Sequence, residues 1–199
     1  MKPIIIFISC LLAIMHTSYG QQTTTQPINN NQNKIIMNNQ DYTANIVVEA
    51  SPAKAYNAIK NFRAWWSEEI DGPTDQLNEA FFYHYKDIHL CKMKLVEIVE
   101  NKRLVYQVLE NEFNFISDKT EWVDTHLIFE IIEESDKTKV RFTHKGLVPS
   151  YECYEVCNDA WTGYITNSLY KLIETGKGEP NPKDKDGFNA ELAEKWHLN

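Results

Sequence analysis

The sequence predicts an α+β domain in which a curved antiparallel sheet wraps around one long C-terminal helix. Three observations carry this. Five strand-like segments follow one another between residues 80 and 147, joined by short polar turns. Strands joined so closely pair antiparallel. One long amphipathic stretch, residues 151–175, then closes the pattern after the break at Pro149. A sheet with one apolar face and a helix with one apolar stripe must each be covered, and they cover each other.

The elements follow in order. Residues 42–50 (YTANIVVEA) are rich in β-branched side chains and read as a first strand. Ser51 is a natural N-cap, with Pro52 at the tolerated first helical position. Ala55, Ile59 and Phe62 continue at helical spacing, Trp65-Trp66 close the segment, and Asp71-Gly72-Pro73 is a turn. The five strands are read over 80–86, 89–99, 103–111, 121–133 and 138–147, with Asn101-Lys102 and Ser135-Asp136-Lys137 as hairpin turns. Within 121–133, Val123, Thr125, Leu127, Phe129 and Ile131 share the inward face, and Trp122, Asp124, His126 and Glu130 share the outward one. In the last strand Val140, Phe142 and His144 point inward. Along 151–175, Tyr154, Cys157, Trp161, Tyr164, Ile165, Ser168 and Leu172 form one wide stripe, and Gly176 and Gly178 stop the helix. A polar tail over 181–199 ends in a short helix over 188–196.

The N-terminus reads as an export signal. Lys2 precedes the apolar run Ile4 to Met15, too short for a membrane span of roughly 20 residues but suited to a signal peptide. Ser18-Tyr19-Gly20 places small residues at the cleavage site, so the mature chain is expected to begin at Gln21 and to be secreted or periplasmic. Acylation at Cys10 is the alternative, although that cysteine lies inside the apolar run rather than after it. Residues 21–40 are a spacer, with 11 of 20 positions Gln or Asn, and the domain is expected over 41–180. Cleavage leaves 19 basic against 28 acidic residues, a net charge of -9. Such a surface argues against nucleic acid and anionic lipid as partners. The seven glycines form no phosphate-cradling loop.

Several stretches carry a resemblance: FRAWWSEEIDG, HYKDIHLCKMKLVEI, NEFNFISDKTEW, VRFTHKGLVP, and YECYEVCNDAWTGYI running on to LIETGKGEPNP. In these the chain is similar to the START-like (SRPBCC) superfamily, in the bacterial branch grouped with the C-terminal domain of the activator of the heat-shock protein 90 ATPase. The resemblance implies a helix-grip fold with a hydrophobic tunnel between sheet and helix. It also implies a range of roles, from lipid carriage through polyketide cyclisation to co-chaperone contacts. It brings no catalytic motif.

The candidate ligand-binding set is Phe142, His144, Tyr154, Cys157, Trp161 and Tyr164, where the inward strand face meets the helix stripe. His144 reads as a general base or as a core histidine satisfied by a tyrosine hydroxyl or backbone carbonyl, and the second reading is favoured because no partner carboxylate falls at a telling spacing. Cys157 as a nucleophile activated by His144 lacks an orienting group and an oxyanion hole. After cleavage three cysteines remain, Cys91, Cys153 and Cys157, read as small buried hydrophobes. A bridge from Cys91 to Cys153 or Cys157 is the oxidised alternative. The CxxxC spacing and the His89/Cys91 pair do not match a zinc signature, so no metal or cofactor is expected. Trp65-Trp66 form either a lid or docking patch or, as adjacent aromatics usually do, core plus rim. The expected function is non-catalytic binding of a small apolar or aromatic molecule in the tunnel. A cyclase- or hydrolase-like enzyme and a protein-interaction module are the alternatives.

Overall fold

The computed structural model describes residues 40–183, 188–195 and 197. The signal peptide expected over 1–20 and all of the expected spacer but Gln40 lie outside the described residues. Strand β1 (Tyr42–Val48) alternates buried and exposed side chains along its whole length. Helix α1 (Pro52–Lys60) starts as its sequence dictates: the Ser51 hydroxyl accepts from the Lys54 amide at 3.3 Å and Pro52 occupies the first turn. A single 3₁₀ turn, Phe62–Ala64, follows. Strands β2 (Ile70–Asp71), β3 (Ala80–Tyr85), β4 (His89–Val99), β5 (Arg103–Phe113), β6 (His126–Glu134) and β7 (Lys137–Lys145) form a meander. All pairings are antiparallel, in the order β1-β7-β6-β5-β4-β3-β2. The first strand therefore closes the sheet against the last, with Ile46 opposite Val140. Register shifts between Lys92 and Met93, and between Leu95 and Glu97, interrupt the β4–β5 ladder and bend it, giving the sheet its curvature.

The long helix runs through α2 (Tyr154–Gly163), a π-helical turn (Tyr164–Leu169) and α3 (Tyr170–Thr175). In the π turn the Tyr170 amide reaches the Ile165 carbonyl five residues back. That extra residue shifts the phase of the buried stripe. The expected stripe passes through Leu172, but the fully buried residues after Ile165 are Ser168, Leu169 and Ile173. Helix α4 (Phe188–Lys195) lies where the C-terminal pattern placed it. Among the described residues no helix is long and apolar enough to cross a membrane.

One predicted strand starts late. Residues 121–125 form a turn: the Thr125 amide returns to the Trp122 carbonyl at 3.0 Å, the Val123 amide to Thr120 at 2.9 Å, and Asp124 adopts φ +65°. The alternation assigned to 121–125 is therefore overturned, and Trp122, expected outward, is 4% exposed. The cause is a tertiary demand. The Glu121 carboxylate accepts from the backbone amides of Glu152 at 2.5 Å and Cys153 at 2.9 Å, capping the start of the long helix. A capping carboxylate answers the unpaired donors and the positive end of the helix dipole.

Trp65 and Trp66 are both buried, so neither forms a lid or a rim. They are held by a strap that leaves the helix at Gly176. The buried Ser168 hydroxyl donates to the Trp65 carbonyl at 2.6 Å and accepts from the Glu179 amide at 2.8 Å. The Asn181 amide donates to the Trp66 carbonyl at 3.0 Å, and the Asn181 carbonyl accepts from Glu68 at 2.9 Å. The Asn181 side chain also donates to the Tyr164 hydroxyl. Packing thus continues past residue 180.

The two glycines of this strap make a sharp contrast. A Cβ on Gly178 would lie 2.2 Å from the Ala64 carbonyl oxygen, so backbone would have to move. Gly176 has open space around it but sits at φ +81°. Gly178→Ala should cost about 2–4 kcal/mol and Gly176→Ala about 1 kcal/mol. Thermal melts of the two variants check this; an inverted order would mean that the strap is not pressed against Ala64.

Candidate functional site

The concave face of the sheet and the buried stripe of the long helix meet in an aromatic interior. Its middle is Trp161, 1% exposed, with ring neighbours Phe142 (4.7 Å), Trp66 (5.3 Å), Trp122 (5.8 Å, stacked) and Tyr164 (6.2 Å). Of the six candidate residues, Phe142, His144, Cys157, Trp161 and Tyr164 are buried here. Tyr154 is only partly buried, packed against the edge of the core. Tyr42 on β1 reaches the helix from the other side, its hydroxyl 2.8 Å from that of Thr162.

His144 is fully enclosed and its two ring nitrogens are both engaged. The Trp161 indole N–H donates to Nδ1 at 3.0 Å. Nδ1 must therefore be the bare nitrogen, and Nε2 carries the proton. Nε2 lies 2.8 Å from the Thr125 hydroxyl and donates to it, while that hydroxyl donates onward to the Trp122 carbonyl at 2.6 Å. A directed chain of hydrogen bonds thus runs from helix to strand to turn. The favoured reading of a satisfied core histidine holds, with indole and threonine partners in place of the expected tyrosine or carbonyl. Burial pushes its pKa down to about 3, helped by the nearby His89 and His126. A proton on Nδ1 would also face the Trp161 N–H.

Beyond His144 lies a second imidazole. His89 is wrapped by Phe113 (4.4 Å), Trp122 (4.8 Å) and Tyr83 (5.2 Å), and its Nε2 meets the Asn111 side-chain carbonyl at 2.9 Å. Burial lowers its pKa to about 4, against the opposing effect of Asn111. Trp122 sits between the two imidazoles, 4.6 Å from His144. The three cysteines Cys91, Cys153 and Cys157 are buried free thiols. Burial raises the Cys157 pKa well above the ordinary thiol value, and Cys153 adds to the rise, so Cys157 is a protonated thiol rather than a nucleophilic thiolate. Among the described residues no group of three or more His, Cys, Asp or Glu converges in a way that could hold a metal ion.

This end of the interior is rimmed by partly buried Ile88, Phe115, Ile116, Tyr151 and Tyr154. Two loops meet there, and the Ser117 amide donates to the Glu152 carboxylate at 2.7 Å. The sequence reading missed His89, Asn111, Trp122 and Thr125 as members of this cluster. His89 was visible as an inward residue of its strand. Trp122 and Thr125 were hidden by the strand assignment, and Asp124, a residue tolerant of positive φ, was the one local sign of a turn.

Two measurements test this geometry. Trp161→Phe keeps most of the packing and removes the N–H, which should cost about 1–2 kcal/mol; Trp161→Ala should cost about 3–5 kcal/mol. Similar losses for the two would mean that packing contributes little. The pH dependence follows from the lowered pKa values: both histidines stay neutral in the native state and protonate near 6.5 when unfolded. Stability is then level above about pH 6.5 and falls below it. From pH 7.5 to 5.5 each histidine should remove about 1.4 kcal/mol, and His144→Gln should halve the effect. Urea unfolding at the two pH values measures it; an unchanged midpoint would place both imidazoles in contact with solvent.

A family model described as Activator of Hsp90 ATPase homolog 1-like protein matches residues 49–174. No curated protein matches the chain. Among solved structures, the solution structure of the Aha1 dimer from Colwellia psychrerythraea is 23% identical, with a TM-score of 0.57 over 70% of this chain and 99% of that one. A protein from Nitrosospira multiformis is 16% identical, with a TM-score of 0.53 over 69% of this chain and 98% of its own. One from Staphylococcus saprophyticus is 12% identical, with a TM-score of 0.52 over 70% and 95% respectively. At these identities the likeness establishes the fold, the START-like helix grip.

Proposed function

We propose, from the premise that the chain belongs to the Activator of Hsp90 ATPase homolog 1-like family, that it is an exported, non-catalytic binding protein. It holds one small apolar or aromatic molecule between the sheet and the long helix, against Phe142, His144, Tyr154, Cys157, Trp161 and Tyr164. The family's fold supports a ligand-binding or a co-chaperone-like domain. One observation favours the ligand: at one end of the continuous aromatic interior the polar groups of His89, Trp122, His144 and Cys157 converge among the rings. Apolar walls with a small number of convergent polar groups are what a small-molecule site requires. A guest enters at the half-buried rim, where Phe115, Ile116, Tyr151 and Tyr154 give way. Catalysis is disfavoured because His144 has no nitrogen to offer.

A second reading rests on the outer face of the sheet. Phe82 and Leu90 are exposed there and, with Lys92, Glu110 and Glu112, line a depression of about 280 Å³. Exposed apolar side chains at a dimple suit a protein contact.

Native mass spectrometry and N-terminal sequencing of protein purified from its own cell envelope or medium separate these readings. The carrier predicts a chain beginning at Gln21 with a small-molecule mass excess, or saturable quenching of tryptophan fluorescence by a neutral naphthylamine dye. An intact chain in the cytosol overturns the export. Absence of both ligand and saturable quenching overturns the carrier and leaves the outer depression as the functional surface.

A further inference from the structure

Four tryptophans lie deep in this core, Trp65, Trp66, Trp122 and Trp161. Trp65 donates to the Ile59 carbonyl at 3.1 Å and Trp161 to His144 at 3.0 Å. Trp122 Nε1 finds no nitrogen or oxygen acceptor although the residue is 4% exposed. No neighbouring oxygen or nitrogen accepts from it. His89 Nε2 is taken by Asn111, both nitrogens of His144 are taken, and the Glu121 carboxylate is committed to two backbone amides. The Cys157 sulfur is the one group the indole N–H is drawn to, a weak acceptor whose pKa this contact lowers as the smallest of the influences on it. A buried donor left unpaired costs about 1–3 kcal/mol. Phenylalanine would fill nearly the same space without that cost.

We propose that Trp122 Nε1–H is the polar contact of the bound molecule, and that this molecule is neutral and aromatic with a single oxygen acceptor, a carbonyl or ether. The inference rests on the carrier reading and names its ligand class. The body of the ligand follows from the rings around the indole: His89 at 4.8 Å, Phe113 at 5.3 Å, His144 at 4.6 Å and Trp161 stacked at 5.8 Å. The neutrality follows from electrostatics. Both imidazoles are held unprotonated and the Cys157 thiol is held protonated, so neither an anion nor a cation finds a countercharge in this cluster. Phe113 in turn packs on the partly buried Phe115, 5.0 Å away.

The test uses the mature chain and two probes of matched shape, 2-acetylnaphthalene and 2-ethylnaphthalene, which differ in the carbonyl. Tryptophan quenching should give roughly tenfold tighter binding for the ketone, the amount one buried hydrogen bond supplies. The Trp122 indole proton should move downfield in the NMR spectrum with the ketone alone. Trp122→Phe should remove the tenfold preference while both probes still bind. Equal affinities with an unmoved indole proton overturn this proposal and leave the carrier standing. Failure of both probes to bind overturns the carrier reading, and this assignment with it. The NMR readout on the unmodified chain decides the matter even where the variant does not fold.

Discussion

The hydrogen-bonded imidazole of His144 ties together the three parts of the molecule that have to stay in register. Trp161 on the helix donates to it, and it donates to Thr125 in the turn that precedes β6, from its own place on β7. Each link has a fixed direction because Trp161 can only donate, so the tautomer is set and every later donor follows. Such a chain is costly to break at any point, since the remaining partners would be buried and unpaired. It also places Trp122. The Thr125 hydroxyl donates back to the Trp122 carbonyl, so the turn that satisfies His144 is the turn that folds the indole inward. The same turn starts at Glu121, which caps the long helix. Anchoring the helix to the sheet and shaping the polar end of the interior are therefore one arrangement.

At the other end the constraint is the strap. The long helix does not carry one α-periodic stripe inward over its whole length. The π turn at Tyr164–Leu169 resets the phase, and Ile165, Leu169 and Ile173 take the inward positions beyond it. Ser168 faces the strap across this wide turn and bonds both to it and to Trp65. Gly178 is small because the strap passes directly over the Ala64 carbonyl. The central Trp161–Trp66 contact is thus held from two directions, by the helix through His144 and by the strap through Asn181.

Much of this was legible in the residues. The alternation in β1 and β7, the Ser51-Pro52 helix start and the inward histidine each follow from a local period or cap, and local signals survive folding intact. The misreadings share a different cause. The stretch 121–125 alternates well enough to be a strand, but Glu121 is claimed by helix amides 31 and 32 residues away, and no local pattern announces a partner so distant. Leu172 was placed on the stripe by carrying an α period through a turn that is not α, and the tertiary contacts that widen it come from the strap. In the candidate site the helix and strand members were found by periodicity. Trp122 was lost with its strand, and the hydrogen bonds that assign a role to His144 depend on residues brought together only in the fold.

The neutrality of the interior bears on the choice between holding a ligand and reacting it. A general acid or base works best with a pKa near the operating pH. His144 and His89, at about 3 and about 4, lie far below neutrality, and both are unprotonated at neutral pH. The Cys157 thiol is displaced in the opposite sense, so no thiolate stands ready to attack. Enzymes bring such values toward neutrality with a countercharge; here Glu121 is spent on the helix cap, and Glu97 and Glu130 pair with Arg103 away from the cluster. A molecule lodged beside Trp122 would meet one donor, several rings and no group able to move a proton. That environment would orient a neutral guest and shield it from water, which supports the proposed carrier.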